Sequence, residues 1–299
     1  GYPVVYAERK GRSPKTLLFY NHYDVQPPEP LDEWVFPPFQ PTEREGKLYG
    51  RGVADDKGHI AARLAAIKAL LKADGELPCG VKFFAEGCEE IGSPGLHRFV
   101  EEHKALLAAD ACLWEGGGVD WQGRPSITLG LKGILYVELE CRTASRDSHS
   151  SYGTVVPNAA WRLAWALATL KDRNERVLIP GFYDGVRPPT SAELAAVDAL
   201  PAEDEELKRS LGLSGFVLGL RGSAWHRKHT LEPACNICGM ESGYTGPGTK
   251  TVLPSWARAK VDFRLVPDQQ PHDILAKLKA HLVAQGFEDI QVKAREANE

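Results

Sequence analysis

The sequence predicts an α/β fold in its first part and a smaller α+β unit of ferredoxin-like type in its second. Up to about residue 129, predicted strands and helices alternate, and acidic residues or a histidine follow the strands. From residue 130 the order becomes strand, helix, strands, helix, strand. We therefore expect two domains, residues 1–129 and 130–299, and a chain of 299 residues is long enough to bury a core in each.

In the first part, apolar runs predict buried strands, and apolar residues at a spacing of three and four predict helices. The segment 27–49 is rich in proline and polar residues and is expected to be a surface loop. The predicted strands cover 15–21, 80–85 and 110–114, and the predicted helices cover 56–73 and 94–107.

In the second part, the same patterns predict a sheet with helices between its strands. The stretch 171–232 is less regular, with one acidic helix expected over 191–211. The other predicted strands are 134–141, one near Asn236, 251–253, 257–265 and 290–294, and the other predicted helices are 158–170 and 271–285.

One histidine and several carboxylates lie where a predicted strand runs into a turn. Imidazole and carboxylate are ligands that suit Zn²⁺, Mn²⁺ or Co²⁺, and such a set is typical of a two-metal hydrolytic site. Each residue alone also has an ordinary explanation, such as a helix cap or a solvated acidic turn. The candidates are His22, Asp24, Asp55, Glu89, Glu90 and Glu115.

Composition excludes several classes of partner. The chain is 43% hydrophobic and 25% charged, and its net charge of −4 gives no reason to expect nucleic acid or an anionic membrane. No apolar run reaches the ~20 residues that span a bilayer. Cys235 and Cys238 have C-x-x-C spacing, but a single pair indicates two strand residues more often than a zinc site. The cysteine usage fits a reducing cytoplasm.

The motifs together resemble the M20 family of co-catalytic metallopeptidases, in particular its carnosinase-like dipeptidase branch. The resemblance covers nearly the whole chain. It is carried by His22-Tyr-Asp24-Val-Gln-Pro, Gly50-Arg-Gly-Val-Ala-Asp55-Asp56-Lys-Gly, Glu86-Gly-Cys-Glu89-Glu90-Ile-Gly-Ser, Asp147-Ser-His149-Ser-Ser-Tyr-Gly, Ile179-Pro-Gly-Phe-Tyr-Asp, Gly243-Tyr-Thr-Gly-Pro-Gly-Thr-Lys-Thr251-Val-Leu-Pro and Phe263-Arg264-Leu-Val-Pro.

The resemblance implies a role for each metal-site candidate. His22, Asp55 and Glu115 would bind one metal ion, and Asp55 would bridge to a second ion that Glu90 also holds. Asp24 would orient the His22 imidazole, and Glu89 would be the general base and acid. Glu115 stands where related dipeptidases have Asp, although both are oxygen ligands. The resemblance also implies a cis peptide bond between Asp55 and Asp56.

The second domain would then be a lid, or dimerisation, domain. Its His149 resembles a histidine that reaches the partner subunit's site and polarises the scissile carbonyl. Arg264 resembles the arginine that pairs with the substrate's C-terminal carboxylate, and Thr251 a polar contact nearby. These likenesses imply a small peptide substrate and a homodimer formed through the lid.

The resemblance also implies that the chain is a fragment. The family's catalytic domain has a segment before the first motif and returns after the lid, bringing a last histidine ligand for the second metal. Within enzymes, an N-acyl-amino-acid deacylase is the alternative to a dipeptidase. A non-catalytic dimeric binding protein on the same scaffold is the alternative outside them.

Overall fold

The computed structural model describes residues 2–120 and 122–298. The chain divides into two compact units, one ending at Ile127 and the other beginning at Thr128. This division lies two residues before the boundary that the sequence suggested. No helix within the described ranges is long and apolar enough to cross a membrane.

The described residues of the first unit form one four-stranded sheet, two short hairpins and three α-helices. Its strands are β1 (Val5–Arg9), β2 (Ser13–His22), β3 (Thr42–Arg44), β4 (Lys47–Tyr49), β5 (Cys79–Glu86), β6 (Ala111–Leu113), β7 (Gly118–Val119) and β8 (Pro125–Ser126). Its helices are α1 (His59–Asp74), α2 (Leu96–Glu102) and α3 (Lys104–Leu107).

The sheet of the first unit has the strand order β1-β5-β2-β6. Strand β2 is parallel to both β5 and β6, so these three strands end at one edge of the sheet, and β1 is antiparallel to β5. The predicted alternation of strands and helices, with candidate ligands after the strand ends, is confirmed. Buried Phe19, Tyr20 and Phe84 fix the sheet interior.

The second unit contains a four-stranded antiparallel sheet. Its strands are β9 (Gly133–Arg142), β10 (Ser148–His149), β11 (Ala234–Ser242), β12 (Val252–Leu253), β13 (Trp256–Leu265) and β14 (Gln291–Asn298). Its helices are α4 (Ala159–Ala168), α5 (Ser191–Asp198), α6 (Asp204–Leu211), α7 (Gly222–Leu231) and α8 (Pro271–Ala284).

The order β11-β13-β9-β14, with α4 after β9 and α8 after β13, is the ferredoxin-like arrangement that the sequence predicted. Alternate residues of β9 are fully buried from Leu135 to Cys141 and pack in one cluster with residues of α4 and α8, as a sheet with one covered face requires. Asn158 caps α4 by accepting hydrogen bonds from the N–H groups of Ala160 and Trp161.

Three expectations about individual elements are corrected. The expected loop 27–49 contains the hairpin β3–β4. The helix expected from residue 56 is present, because the π-helical turn Val53–Gly58 continues into α1 and only Asp55 within it is non-helical. The expected helix 191–211 is two helices with Pro201 between them, because proline interrupts helical hydrogen bonding. Helix α7 lies in the stretch expected to be irregular.

Candidate active site

The candidate site lies where β2, β5 and β6 end. Strand β2 ends at His22, β5 at Glu86 and β6 at Leu113, and parallel pairing brings these ends to the same edge. The residues that follow, among them Glu89 and Glu115, therefore approach the His22 side chain. This is the usual position of an active site in an open α/β sheet.

The imidazole of His22 is the centre of the site. Its side chain is only 1% exposed, and its Nε2 lies 2.8 Å from Asp55 Oδ1, 3.3 Å from Glu115 Oε2 and 3.9 Å from Glu89 Oε2. One nitrogen can offer a single proton, so it cannot satisfy three carboxylates. The arrangement leaves a concentration of negative charge that a cation would neutralise.

Asp24 lies on the opposite side of this imidazole. Its Oδ1 lies 3.3 Å from His22 Nδ1. The same carboxylate accepts hydrogen bonds from the backbone N–H groups of Glu89, at 3.3 Å, and Glu90, at 3.0 Å. Asp24 therefore lies between the imidazole and the turn that carries both glutamates, but His22 Nδ1 makes no hydrogen bond to it in the described part of the chain. This is the position in which a carboxylate stands behind a histidine ligand.

The two consecutive aspartates have different surroundings. The peptide bond between Asp55 and Asp56 is cis, as the resemblance implied. The Asp55 side chain contacts His22 but is still 74% exposed. The Asp56 side chain, in contrast, is buried. Asp56 accepts hydrogen bonds from Asn21 Nδ2 and from the His22 N–H, and lies 2.7 Å from His59 Nδ1. Its oxygens are thus already engaged by the protein.

Asp56 belongs to a buried polar network that the sequence analysis missed. Arg63 is 8% exposed and donates to the carbonyl of Tyr20, to Asn21 Oδ1 and to the carbonyl of Trp114. Asn21 in turn donates to Asp56. The network joins β2, α1 and the segment after β6, and it supports the strand end that carries His22. A polar residue directly before His22 in a buried strand was the available signal.

We expect replacement of Arg63 by Met to destabilise the first unit strongly. The change leaves Asn21 and two backbone carbonyls without their donor, and breaking a buried charged network typically costs ~3–5 kcal/mol. Chemical denaturation of the variant measures this cost. Lys68→Met, at an exposed position of the same helix, is the matched control and should change stability by less than ~0.5 kcal/mol. Equal effects at both positions would contradict the structural role of Arg63.

The pKa values of the Glu115 and Glu89 carboxyl groups are raised because these groups are buried close together. Burial, followed by the negative charge of Glu89, raises the pKa of Glu115 to about 7. Burial also raises the pKa of Glu89, and the Glu90 and Asp55 charges add to this, while His22 opposes it. For His22, burial acts to lower the pKa, but the hydrogen bond to Asp55 and the charges of Glu115 and Glu89 together raise it.

The residues present fit a divalent cation. Glu115 Oε2 is buried, without a hydrogen-bond partner among the described residues, and faces His22 Nε2. Two groups each offer three ligand atoms within 4.8 Å of one another: His22 with Asp56 and Glu115, and His22 with Asp55 and Glu90. No group in the described ranges includes Cys235 or Cys238, which are ordinary residues of β11.

Metal affinity should fall as the pH is lowered through 7. A ligating carboxylate must be deprotonated, so below the Glu115 pKa of about 7 each binding event releases a proton and affinity falls by up to ~10-fold per pH unit. The raised pKa of His22 acts in the same direction. Calorimetric titration with Zn²⁺ in two buffers of different ionisation enthalpy counts the protons. An affinity independent of pH between about 6 and 8 would contradict the assignment of Glu115 as a ligand.

The other predicted site residues lie in the second unit. His149 ends β10 and Thr251 precedes β12, and the pairing of these strands places Thr251 Oγ1 3.0 Å from His149 Nε2. Arg264 lies on β13, where its Nε donates to Asp262 Oδ2 at 2.9 Å. Two residues beside these side chains were not predicted from the sequence: Asp262, which is buried, and Ser151, which contacts the His149 ring.

This fold and site define an α/β protein with a candidate metal site at the ends of its parallel strands, and sequence comparison gives the family. The chain belongs to Peptidase family M20/M25/M40, whose profile matches residues 18–274. It is 32% identical to the human Beta-Ala-His dipeptidase over 99% of this chain. It is 31% identical to a Cys-Gly metallodipeptidase of Schizosaccharomyces pombe over 94% of this chain. The chain spans 58% and 60% of the lengths of these two relatives.

Solved structures agree with this membership. An M20 family metallo-carboxypeptidase from Sulfolobus solfataricus is 44% identical and superposes with a TM-score of 0.93, covering 100% of this chain and 68% of that one. Human carnosine dipeptidase 1 is 31% identical, with a TM-score of 0.81 over 99% of this chain and 64% of its own. The predicted family and branch are confirmed.

Proposed function

We propose that this chain carries the metal-binding part and the lid of a metal-dependent peptidase that hydrolyses dipeptides or short peptides. The observation that carries the proposal is the convergence of three carboxylates on one nitrogen of the buried His22. The names of the relatives, Beta-Ala-His dipeptidase and Cys-Gly metallodipeptidase, support the substrate class.

We assign His22, Asp55 and Glu115 to one divalent ion, and Asp55 with Glu90 to a second. Asp55 is preferred to Asp56 because the Asp56 carboxylate is buried and already engaged by three donors. Zinc fits a set of imidazole and carboxylate ligands, as do manganese and cobalt. Such ions would supply Lewis-acid activation of water and of the substrate carbonyl.

Glu89 is the proton carrier in this proposal. Its side chain is 32% exposed, so it can reach a water molecule, and its backbone is held by Asp24. Burial raises the pKa of this carboxyl, which brings its basicity nearer to that needed at neutral pH. Glu89 removes a proton from the attacking water and then donates a proton to the leaving amine.

The lid residues would bind and polarise the substrate. Arg264 uses its Nε for Asp262, and its two terminal nitrogens have no hydrogen-bond partner in the described part of the chain. This edge of the guanidinium matches a carboxylate. His149 would donate to the developing oxyanion, and Thr251 would provide a polar contact beside it.

A carboxypeptidase acting on longer peptides is the second candidate. It is favoured by the 44% identity between this chain and the Sulfolobus solfataricus protein, which is an M20 family metallo-carboxypeptidase. Both activities require a free C-terminal carboxylate on the substrate, and they differ in the length of peptide accepted.

A substrate panel tests the proposal on the product of the full open reading frame. The protein is stripped with a chelator, restored with Zn²⁺, Mn²⁺ or Co²⁺, and assayed on dipeptides, longer peptides, C-terminally amidated peptides and N-acyl amino acids. We expect metal-dependent turnover of dipeptides that is lost on amidation. Turnover of N-acyl amino acids alone would identify a deacylase. Bound metal without turnover of any substrate would identify a binding protein.

We further propose a homodimer formed through the second unit, in a reducing compartment such as the cytoplasm. Strand β11 is an outer strand of its sheet, and Ile237 and Met240 on it are exposed. On α4, Trp161 and Trp165 are 60% and 56% exposed and stack on each other. Open strand edges and large apolar surfaces favour pairing with a second copy. All six cysteines are free thiols, which suits a reducing compartment.

Replacing both Ile237 and Trp161 by Lys should convert the dimer into a monomer. The two charges would be buried without partners at the interface, which strongly disfavours association. Analytical ultracentrifugation measures the change. Val283→Lys, at an exposed apolar position on α8, is the matched control and should leave the association unchanged. A double variant that remains dimeric would place the interface elsewhere.

A further inference from the structure

Two contacts of the His149 ring define its protonation. The backbone N–H of Ser151 donates to His149 Nδ1 at 3.2 Å, and Ser151 Oγ lies 2.8 Å from the same nitrogen. A backbone N–H can only donate, so Nδ1 must be an acceptor and cannot carry a proton while this bond is made. The proton of the neutral ring is then on Nε2.

The backbone around the ring holds this geometry in place. His149 is the N-cap of the short 3₁₀ turn Ser150–Tyr152 and has an extended conformation. The backbone of residues 149–150 is held against residues 251–252 by the pairing of His149 with Val252 and by the hydrogen bond from the Ser150 N–H to the Thr251 carbonyl. Asp147 ties the same ribbon to Ser255 through two hydrogen bonds to one oxygen.

We propose that Ser151 is a positioning residue that locks His149 as the Nε2–H tautomer. The ring then presents a hydrogen-bond donor at Nε2, which lies 3.0 Å from the Thr251 hydroxyl oxygen. This proposal rests on the proposed function, in which His149 donates to the oxyanion of a peptide carbonyl. A lone pair at Nε2 would repel that oxygen, so the opposite tautomer would be inactive.

The lock also separates the roles of the site residues. In a neutral ring with its proton on Nε2, the basic nitrogen is Nδ1, which accepts the hydrogen bond from the Ser151 N–H and is not the atom that donates to the oxyanion. His149 therefore stabilises negative charge without exchanging protons, and the proton transfers are left to Glu89. The chain's own backbone supplies this selection, so it persists in any variant that keeps the Ser151 N–H.

The tautomer is read directly by ¹⁵N NMR of the imidazole rings at about pH 8, above the usual imidazole pKa of ~6.5. The nine histidines are resolved by comparison with a His149→Ala spectrum. Exposed His97 serves as the internal reference for a ring free to populate both tautomers. We expect His149 to populate the Nε2–H tautomer alone, whereas His97 should populate a mixture of both tautomers. A mixture like that of His97, or an Nδ1–H ring, would overturn the proposal.

Three variants identify which contact sets the tautomer. Ser151→Ala keeps the backbone donor and should keep the single tautomer. Ser151→Pro removes the donor and should relax His149 to the His97 mixture, with kcat falling in proportion to the lost Nε2–H fraction and KM unchanged. Thr251→Val should leave the tautomer as it is. If the tautomer changes in Thr251→Val, Thr251 and not Ser151 is the lock, and this result decides the question even where Ser151→Pro fails to fold.

The NMR spectra can be recorded without catalytic turnover. The tautomer proposal and the proposed peptidase function can therefore be contradicted independently of each other. A single Nε2–H tautomer in a protein that hydrolyses no peptide would leave the lock standing and remove the proposed function. Peptide hydrolysis together with a mixed His149 tautomer would do the reverse.

Discussion

Glu89→Gln should abolish peptide turnover while leaving metal content nearly unchanged. Gln keeps the size and shape of the side chain but cannot accept a proton from water, and loss of a general base typically costs ~10²–10⁴ in rate. The Glu89 oxygen lies 3.9 Å from His22 Nε2, farther than those of Asp55 and Glu115, so the change removes the weakest of the three carboxylate contacts.

The neighbouring Glu90 gives the comparison that distinguishes proton transfer from metal binding. Its Oε1 accepts a hydrogen bond from the Gln26 N–H, and Glu90 belongs to the group with His22 and Asp55. Glu90→Gln should therefore lower occupancy of the second metal site, measured by elemental analysis. Glu101→Gln, at an exposed position of α2, should change neither quantity. Metal loss in the Glu89 variant with normal occupancy in the Glu90 variant would reverse the two roles.

The parts of the fold that the sequence predicted are those where one pattern decides the structure. Strand β2 contains the apolar run 17–20 and β9 has buried residues at alternate positions, so both strands could be predicted without knowledge of their partners. Helix α7 could not, because its sequence Gly-Ser-Ala-Trp-His-Arg-Lys-His-Thr-Leu has no apolar stripe. It is fixed instead by tertiary contacts, among them the ion pair of Arg227 with Asp198 on α5.

The candidate site, like the fold, has parts that could be predicted from the sequence and parts that could not. The sequence placed His22, Glu89 and Glu115 after strand ends, and the parallel pairing of those strands brings them together. Sequence spacing could not assign different surroundings to Asp55 and Asp56, because these depend on which carboxylate meets Asn21 and His59 across the fold. Arg63 was missed for the same reason, since its partners lie 42 to 51 positions away in the chain.

Mixing His149→Ala subunits with Glu89→Gln subunits should restore activity that neither variant has alone. If His149 serves the site of the partner subunit, a mixed dimer has one site with both an intact Glu89 and a partner's His149, and one site with neither. Random exchange at equal amounts makes half of the dimers mixed, so about a quarter of the wild-type sites should be recovered.

Two controls make this result decisive. Recovery should depend on subunit exchange, so variants that also carry the Ile237 and Trp161 substitutions to Lys should show none. Mixing His149→Ala with His149→Ala, Glu89→Gln double-variant subunits should also give no activity, because no subunit then supplies the histidine. Formation of mixed dimers, shown by two different affinity tags, without any recovery would mean that His149 serves its own subunit or none. That outcome would remove the shared site but not the metal assignments, because His22, Asp55 and Glu115 are brought together within the first unit.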